Sequence, residues 1–222
     1  MIVARCPSLP FFHKIENAKV ALLTAGVFLL FTKLSLHGLV LLGISALISA
    51  YQWWWFKRGW MLTRSLGLKE YMLLESNLKI EGLPPGKVFE THLQASLLDV
   101  VKKLVKKPDF KQRTAEMRRS YFDDYEKIAE ACRSGRWGDR VYIVGITHPN
   151  VMKWWVEAFE SAGFKAVHLG YNIDPGAKLG KLGWWMAQIA STGHARSKKP
   201  PENWKTCIAV WERGRSCGNL VL

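Results

Sequence analysis

Polar side chains that could do chemistry follow three apolar runs in the C-terminal half of the chain. These residues are Thr147, His148 and Asn150, then Tyr171, Asn172 and Asp174, and finally Glu212, Arg213 and Arg215. An imidazole, a carboxylate and guanidinium groups that meet at one place could transfer protons or bind a phosphate. His148-Pro149 and Asp174-Pro175 are also ordinary helix starts, with a capping Thr or Asp and Pro in the first turn. Two interpretations therefore stand, a site near His148 and Asp174 or two helix N-termini, and the second is favoured.

The apolar runs that would position these side chains are predicted strands. Val141–Ile146, Lys165–Leu169 and Thr206–Trp211 alternate with helices predicted at about 149–162 and 175–191. This alternation predicts parallel strands joined by right-handed crossovers, whose carboxyl ends meet at one edge of a sheet. The predicted fold class is α/β, with a mainly parallel sheet of three or more strands and flanking helices.

Two further helices are predicted before these strands. Residues 87–107 carry apolar side chains at helical spacing and a basic opposite face. That basic face consists of Lys102, Lys103, Lys106 and Lys107. Residues 113–133 place arginines first and carboxylates last, against the preference of the helix dipole. A solvated surface is the favoured explanation of this reversed order.

Signatures of enzymes and metalloproteins are missing from the sequence. Gly145-Ile146-Thr147-His148 lacks the later glycines of a dinucleotide loop, and no GxxxxGK[ST] motif occurs. The histidines considered as ligands, His92, His168 and His194, have no metal-site spacing. Cys6, Cys132, Cys207 and Cys217 form no CxxC pair, and Cys132 and Cys207 are expected to pack as small hydrophobes. We therefore predict no catalytic residue, no metal and no cofactor.

Two pairs of adjacent tryptophans are the strongest candidates for binding another protein. Neighbours on a helix point about 100° apart, so each pair can bury one indole and expose the other. An exposed Trp near Arg is the usual composition of an interaction hot spot, although plain packing explains the pairs equally well. The predicted partner-binding residues are Trp154, Trp155, Trp184, Trp185, Arg213 and Arg215.

The stretch Val20–Phe56 has the composition of a membrane segment, since Lys33 is its only charged residue. It is longer than the ~20 residues that one crossing needs and nearly long enough for two. Polar residues and Gly38 interrupt it after Thr32, which predicts a transmembrane helical hairpin. The alternatives are a single crossing over 36–56 preceded by an interfacial segment, or a buried core hairpin of a soluble protein.

Cationic residues flank the apolar stretch on both sides, which favours the cytoplasmic side for both flanks and hence a hairpin. Indole rings favour the headgroup layer of a bilayer. The predicted lipid-facing and juxtamembrane residues are Trp53, Trp54, Trp55, Lys57, Arg58 and Arg64. The expected location is a bacterial inner membrane with the bulk of the chain in the cytoplasm.

The formal net charge of +14 has a simple explanation beside a membrane. Anionic lipid attracts juxtamembrane cations by ~1 kcal/mol each. Nucleic acid bound to Lys102–Lys107 and Arg113–Arg119 is possible but less favoured. The predicted organisation is a leader at 1–19, the hairpin at 20–56, a connector at 57–86 and a basic α/β domain at 87–222.

This layout, an apolar N-terminal stretch followed by a basic domain, resembles the surface or entry exclusion proteins of I-complex conjugative plasmids. The resemblance covers the full chain and assigns no functional residue. It implies an inner-membrane protein of the recipient cell that recognises a conjugation-machinery membrane protein of the donor and blocks redundant plasmid entry. It also implies a shorter product started internally, here at Met72. The alternative function is a membrane-tethered enzyme or nucleotide-binding domain using the strand ends near His148 and Asp174.

Overall fold

A computed structural model describes residues 3–4, 8–32, 34–76, 80–93, 97–106, 109–147, 149–169, 181–195 and 205–213. The fold is mixed α/β, as predicted. Its elements in chain order are β1 (Val3–Ala4), α1 (Ser8–Leu30), α2 (Ser35–Leu66), β2 (Tyr71–Ser76), β3 (Ile80–Glu81), β4 (Lys87–Leu93), α3 (Leu97–Lys106), α4 (Phe110–Arg133), β5 (Arg140–Thr147), α5 (Pro149–Ser161), β6 (Lys165–Leu169), α6 (Lys181–Thr192) and β7 (Lys205–Glu212).

Helices α1 and α2 pack side by side in opposite directions. The Nζ atom of Lys19 donates a hydrogen bond to Oε1 of Gln52 at 3.0 Å, joining the start of the apolar part of α1 to the middle of α2. Nearer the turn, a Cβ atom placed on Gly38 would lie 2.7 Å from the carbonyl oxygen of Gly26. The two backbones therefore approach so closely that only glycine fits at position 38.

By length and composition, α2 is the one helix of the described residues that could cross a membrane, and the apolar part of α1, Ala18–Leu30, is shorter. Only 11% of the most apolar window of α2 is buried. Phe31 is 88% exposed and Leu47 is 72% exposed. These apolar side chains point outward, whereas a hairpin in the core of a soluble protein would bury them.

Within the described residues, the main sheet has five strands in the order β2-β4-β5-β7-β6. Of these described strands, only β4 and β5 pair in parallel, and the other three neighbouring pairs are antiparallel. The prediction of a mainly parallel sheet is therefore wrong. β5 and β6 do point the same way, but β7 lies between them and runs opposite to both. A continuous apolar run predicts a strand buried on both faces without fixing its direction or its neighbours.

The helix predicted over 87–107 is also wrong in its first part, because residues 87–93 form β4. This strand lies between β2 and β5, so Val88 and Phe89 are buried on opposite faces of the sheet. α3 begins only at Leu97. Ile80 and Glu81 form β3, which pairs with β1 in a two-stranded sheet separate from the main sheet.

One face of the main sheet carries the larger core, under α4, α5 and the end of α2. Trp155 of α5 is 2% exposed and its ring rests on the sheet at Gly145, where a Cβ atom would lie 1.4 Å from that ring. Cys132 and Cys207 are buried free thiols in this core, as predicted. Burial raises the pKa of each thiol to about 12.

The interval 57–86, expected to be a connector, instead ties the apolar helix to the sheet. α2 continues without a break to Leu66, and β2 is an edge strand of the main sheet. The backbone N–H of Leu73 donates a 3.0 Å hydrogen bond to the Thr63 hydroxyl, which itself donates to the carbonyl of Gly59 at 2.7 Å. The end of α2 therefore covers the open edge of β2, which would otherwise offer unpaired backbone groups.

Helix α4 holds the turn between α2 and β2 in place. The fully buried carboxylate of Asp124 accepts hydrogen bonds from the backbone N–H groups of Lys69, Glu70 and Tyr71 at 2.9, 2.8 and 3.3 Å. Lys127 donates to the carbonyl of Gly67 at 2.5 Å, where a left-handed residue ends α2. The apolar helix is thus fixed to the α/β domain by hydrogen bonds rather than by a loose linker.

Candidate interaction surfaces

The polar side chains predicted to converge at the strand ends do not come together in the described part of the chain. His148, Asp174 and Arg215 lie outside the described residues. β7 runs antiparallel to β5, so Thr147 pairs with Lys205 while Glu212 pairs with Arg140 at the other end. Along a strand of this length the two ends are roughly 20 Å apart. The described residues also contain no group of three His, Cys, Asp or Glu side chains that could hold a metal ion.

Arg213 lines a cavity of about 400 Å³ at the end of the sheet where β4 and β5 begin. The cations around it are paired with carboxylates. Lys87 contacts Glu75 at 3.1 Å, Arg140 contacts Glu212 at 2.7 Å and Arg213 contacts Asp139 at 3.7 Å. Because each positive charge has a negative partner, this cavity is poorly suited to attract an anion.

The tryptophan pairs divide between core and surface. Trp155 packs edge to face against Tyr125 and near Phe159 inside the core, so it is unavailable to a partner in this fold. Its neighbour Trp154 is half-buried. Trp184 is also half-buried and Trp185 is 40% exposed. Of the four indoles, Trp154 and Trp185 remain the best candidates for contact with another protein.

Trp154 closes one side of an open, mainly apolar groove of about 590 Å³ between α4 and α5. The groove is lined by Phe110, Lys111, Thr114, Ala115, Arg118, Arg119, Phe122 and Trp154. Phe110, Phe122 and Trp154 give it an apolar floor, and three cations stand at its rim. We call it the α4–α5 groove.

Sequence reasoning missed this groove, although a signal was present. Phe110 and Phe122 lie on one stripe of α4, three turns apart, with the small residues Thr114 and Ala115 between them. Large residues separated by small ones leave a furrow on a helix surface. Trp154, which comes from α5, could not be placed beside that furrow without the tertiary structure.

Arg118 joins the two walls of the α4–α5 groove. Its guanidinium donates a 2.6 Å hydrogen bond to the carboxylate of Glu157 on α5 and lies 6.0 Å from the ring centroid of Phe122. Lys111 and Arg119 are exposed at the same rim. Of the three cations, Arg118 is thus already offset by a carboxylate.

Helix α4 contacts the end of α2 and the turn that follows it. Going back along α4, Lys127 meets Gly67, Asp124 meets residues 69–71, and Arg113 forms a 2.9 Å ion pair with Glu70. The N-terminal turns of α4 therefore extend beyond the end of α2. The groove residues from Phe110 to Phe122 lie in this part of α4.

The tryptophans at the end of the apolar segment are paired with cations along α2. Lys57 lies 4.8 Å from the ring centroid of Trp53, Arg58 lies 5.0 Å from that of Trp54, and Arg64 lies 4.4 Å from that of Trp60. Trp53 is 64% exposed and Trp54 is 50% exposed. Exposed indoles interleaved with Lys and Arg are typical of a helix leaving a bilayer through the headgroup layer.

Helix α3 does not bury the single apolar face that its sequence suggests. Val100 is buried against Ile189 and Ala190 of α6. Val101, Leu104 and Val105 are 49%, 38% and 78% exposed. They form a second, smaller apolar stripe bordered by lysines.

Comparison of the chain with protein-family models, with curated proteins and with solved structures finds no match. Function must therefore be argued from the surfaces themselves.

Proposed function

We propose that the chain is an inner-membrane-anchored protein-binding module that acts in plasmid entry exclusion. In a recipient bacterium it recognises a conjugation-apparatus membrane protein of the donor and blocks redundant entry. The observation that carries this proposal is the fixed junction between an outward-facing apolar helix and an α/β domain with an open apolar groove. A rigid junction suits a module that presents a binding surface at a set position relative to a bilayer.

In this proposal α1 and α2 enter the bilayer together as a hairpin. The apolar part of α1 is short, so the bilayer thins or Lys19 reaches the headgroup layer. The hydrogen bond from Lys19 to Gln52 supports this arrangement, because a paired ammonium group costs less near hydrocarbon than an isolated one. Both flanks and the α/β domain then lie in the cytoplasm, where Lys57, Arg58 and Arg64 meet anionic lipid.

A conjugation assay tests the proposed function. Recipient cells with and without the full chain are mated with donors of an I-complex plasmid and, as a control, with donors of an unrelated conjugation system. We expect fewer transconjugants only for the I-complex plasmid and only when the chain is present. Equal transfer of that plasmid into recipients with and without the chain would contradict the proposed function.

The membrane arrangement has its own test in the same cells. We expect the chain to stay in the membrane pellet after a high-salt wash. We also expect activity from a C-terminally fused reporter enzyme that works only in the cytoplasm, and no activity from one that works only in the periplasm. Release of the chain by salt would contradict insertion into the membrane. Activity of the periplasmic reporter would contradict the orientation of the hairpin.

A further inference from the structure

We propose that the α4–α5 groove binds an acidic amphipathic helix of a protein partner. This inference rests on the proposed protein-binding function and adds the chemistry of the partner segment.

The shape of the groove matches a helix of about three turns. Phe110 and Phe122 mark the two ends of the groove along α4, 12 residues apart. At 1.5 Å per residue this floor is roughly 18 Å long, the length of a helix of about 12 residues. Thr114 and Ala115 leave depth between the two phenylalanines, and Trp154 forms the wall from α5. Apolar side chains of a bound helix at positions i, i+4 and i+7 would occupy such a floor.

The charge of the rim selects an acidic partner. Arg118 is offset by Glu157, but within the described residues neither Lys111 nor Arg119 lies in an ion pair with a carboxylate. An apolar floor beside two uncompensated cations complements an apolar stripe bordered by Asp or Glu.

Two other anionic partners fit less well. A duplex nucleic acid would use the cations but leave the apolar floor exposed, because its phosphate backbone has no apolar group to place there. The bases of a single strand can stack on aromatic rings, so a single-stranded oligonucleotide is included in the test. Anionic lipid would meet the exposed cations Lys57, Arg58 and Arg64 at the end of the apolar segment, whereas the groove lies on α4 and α5.

The test uses the full chain in lipid nanodiscs and fluorescein-labelled synthetic peptides of about 14 residues, enough for the length of the groove. One peptide carries leucines on one helical face with glutamates on both sides. A second has the same composition in scrambled order, and a third has lysine in place of glutamate. We expect the first to bind, and the other two to bind about tenfold more weakly or worse by fluorescence anisotropy.

Substitutions locate the binding site. We expect Arg119→Glu to weaken binding of the acidic amphipathic peptide by about tenfold, and Ala115→Phe to do the same by filling the furrow. Arg136→Glu is the matched control, since it makes the same charge change at an exposed residue outside the groove and should leave affinity unchanged. Near-ultraviolet circular dichroism of each variant verifies that the fold is retained.

Several results would overturn the inference. These are equal binding of the scrambled acidic peptide, equal weakening by Arg119→Glu and Arg136→Glu, or tighter occupation of the groove by a single-stranded oligonucleotide or by anionic vesicles. Self-association of the chain that Ala115→Phe abolishes would assign the groove to a second copy and would also overturn it.

If the peptide fails to bind while the chain still excludes the plasmid, only the inference fails. If the peptide binds but transfer is unaffected, only the entry-exclusion function fails.

Discussion

Asp124 is an acidic residue in the C-terminal half of α4, the part of a helix where the helix dipole disfavours a negative charge. Burial raises the pKa of its carboxyl above the ordinary value, while the three backbone N–H groups and Lys127 act in the opposite direction. Its backbone partners lie on the turn between α2 and β2. The reversed charge order therefore has a tertiary cause at this residue, not the solvated surface that the sequence favoured.

We expect Asp124→Ala to lower the free energy of unfolding by about 3 kcal/mol or more, because it leaves buried N–H groups without an acceptor. Asp124→Asn keeps one carbonyl acceptor and should lose less. The measurement is urea unfolding of the full chain in mild detergent. Asp123→Ala is the matched control, since Asp123 is exposed on the next position of the same helix. Equal losses for Asp123→Ala and Asp124→Ala would contradict this account.

Cys132 and Cys207 are expected to be unreactive in the folded protein. With the other two cysteines changed to serine, a thiol reagent at about pH 8 should label neither until denaturant is added, since a raised pKa leaves little thiolate. Rapid labelling of the native protein would show that the core is open at these positions.

Because of these two thiols, the free energy of unfolding is expected to fall as the pH rises above about 9. Their pKa is about 12 when folded, against 9.0 as the ordinary value, so the folded state keeps protons that the unfolded state loses. The stabilising contribution is complete below pH 9 and is lost as the pH rises towards 12. Cys132→Ala and Cys207→Ala together should flatten this part of the pH profile of the free energy of unfolding.

At the scale of elements, the contact between α2 and β2 joins the apolar helix to the domain. Gly59 permits it, because a Cβ atom there would lie 2.0 Å from Cδ2 of Leu74 and 2.9 Å from the carbonyl oxygen of Leu73. Thr63 then satisfies the N–H of Leu73. Both residues are small, which is why the helix can lie against the strand.

We expect Gly59→Ala to lower the melting temperature of the full chain, because α2 must move away from β2. Gly43→Ala, in the same helix, meets nothing within 4 Å and should be neutral or stabilising by up to ~1 kcal/mol through helix propensity. The comparison by thermal unfolding separates packing from propensity. A rise in melting temperature for both variants would show that α2 does not rest on β2.

At the scale of the whole molecule, the junction makes an internal start at Met72 costly. Met72 lies inside β2, so a product beginning there lacks α2, Glu70 and Tyr71. Asp124 would lose its backbone donors, Arg113 would lose its buried carboxylate partner, and the edge of β2 would be open.

We therefore expect residues 72–222 to be less stable and more sensitive to proteolysis than residues 57–222, which keep the last turns of α2. Soluble yield and limited proteolysis of the two fragments provide the measurement. A 72–222 fragment as resistant as the longer one would mean that the junction contributes little to the fold.

The sequence by itself determined the features that depend on composition and short-range periodicity. These are the long apolar segment, its break near Gly38, the helices α4 and α5, the apolar strands β5 and β7, and the two buried thiols. It placed Trp154 and Trp155 on different sides of a helix because a helix turns about 100° per residue. Local patterns suffice for such features because each of them depends on residues that are close together in the sequence.

Only the tertiary structure decided which strands are neighbours and in which direction they run. β7 lies antiparallel between β5 and β6, β4 replaces the first third of a predicted helix, and β2 extends the sheet into the supposed connector. Hydrogen-bond pairing between distant segments fixes these features, and an apolar run does not encode its partner. The α4–α5 groove has the same origin, since α4 supplies its floor and cations while α5 supplies Trp154, far along the chain, and only folding brings them together.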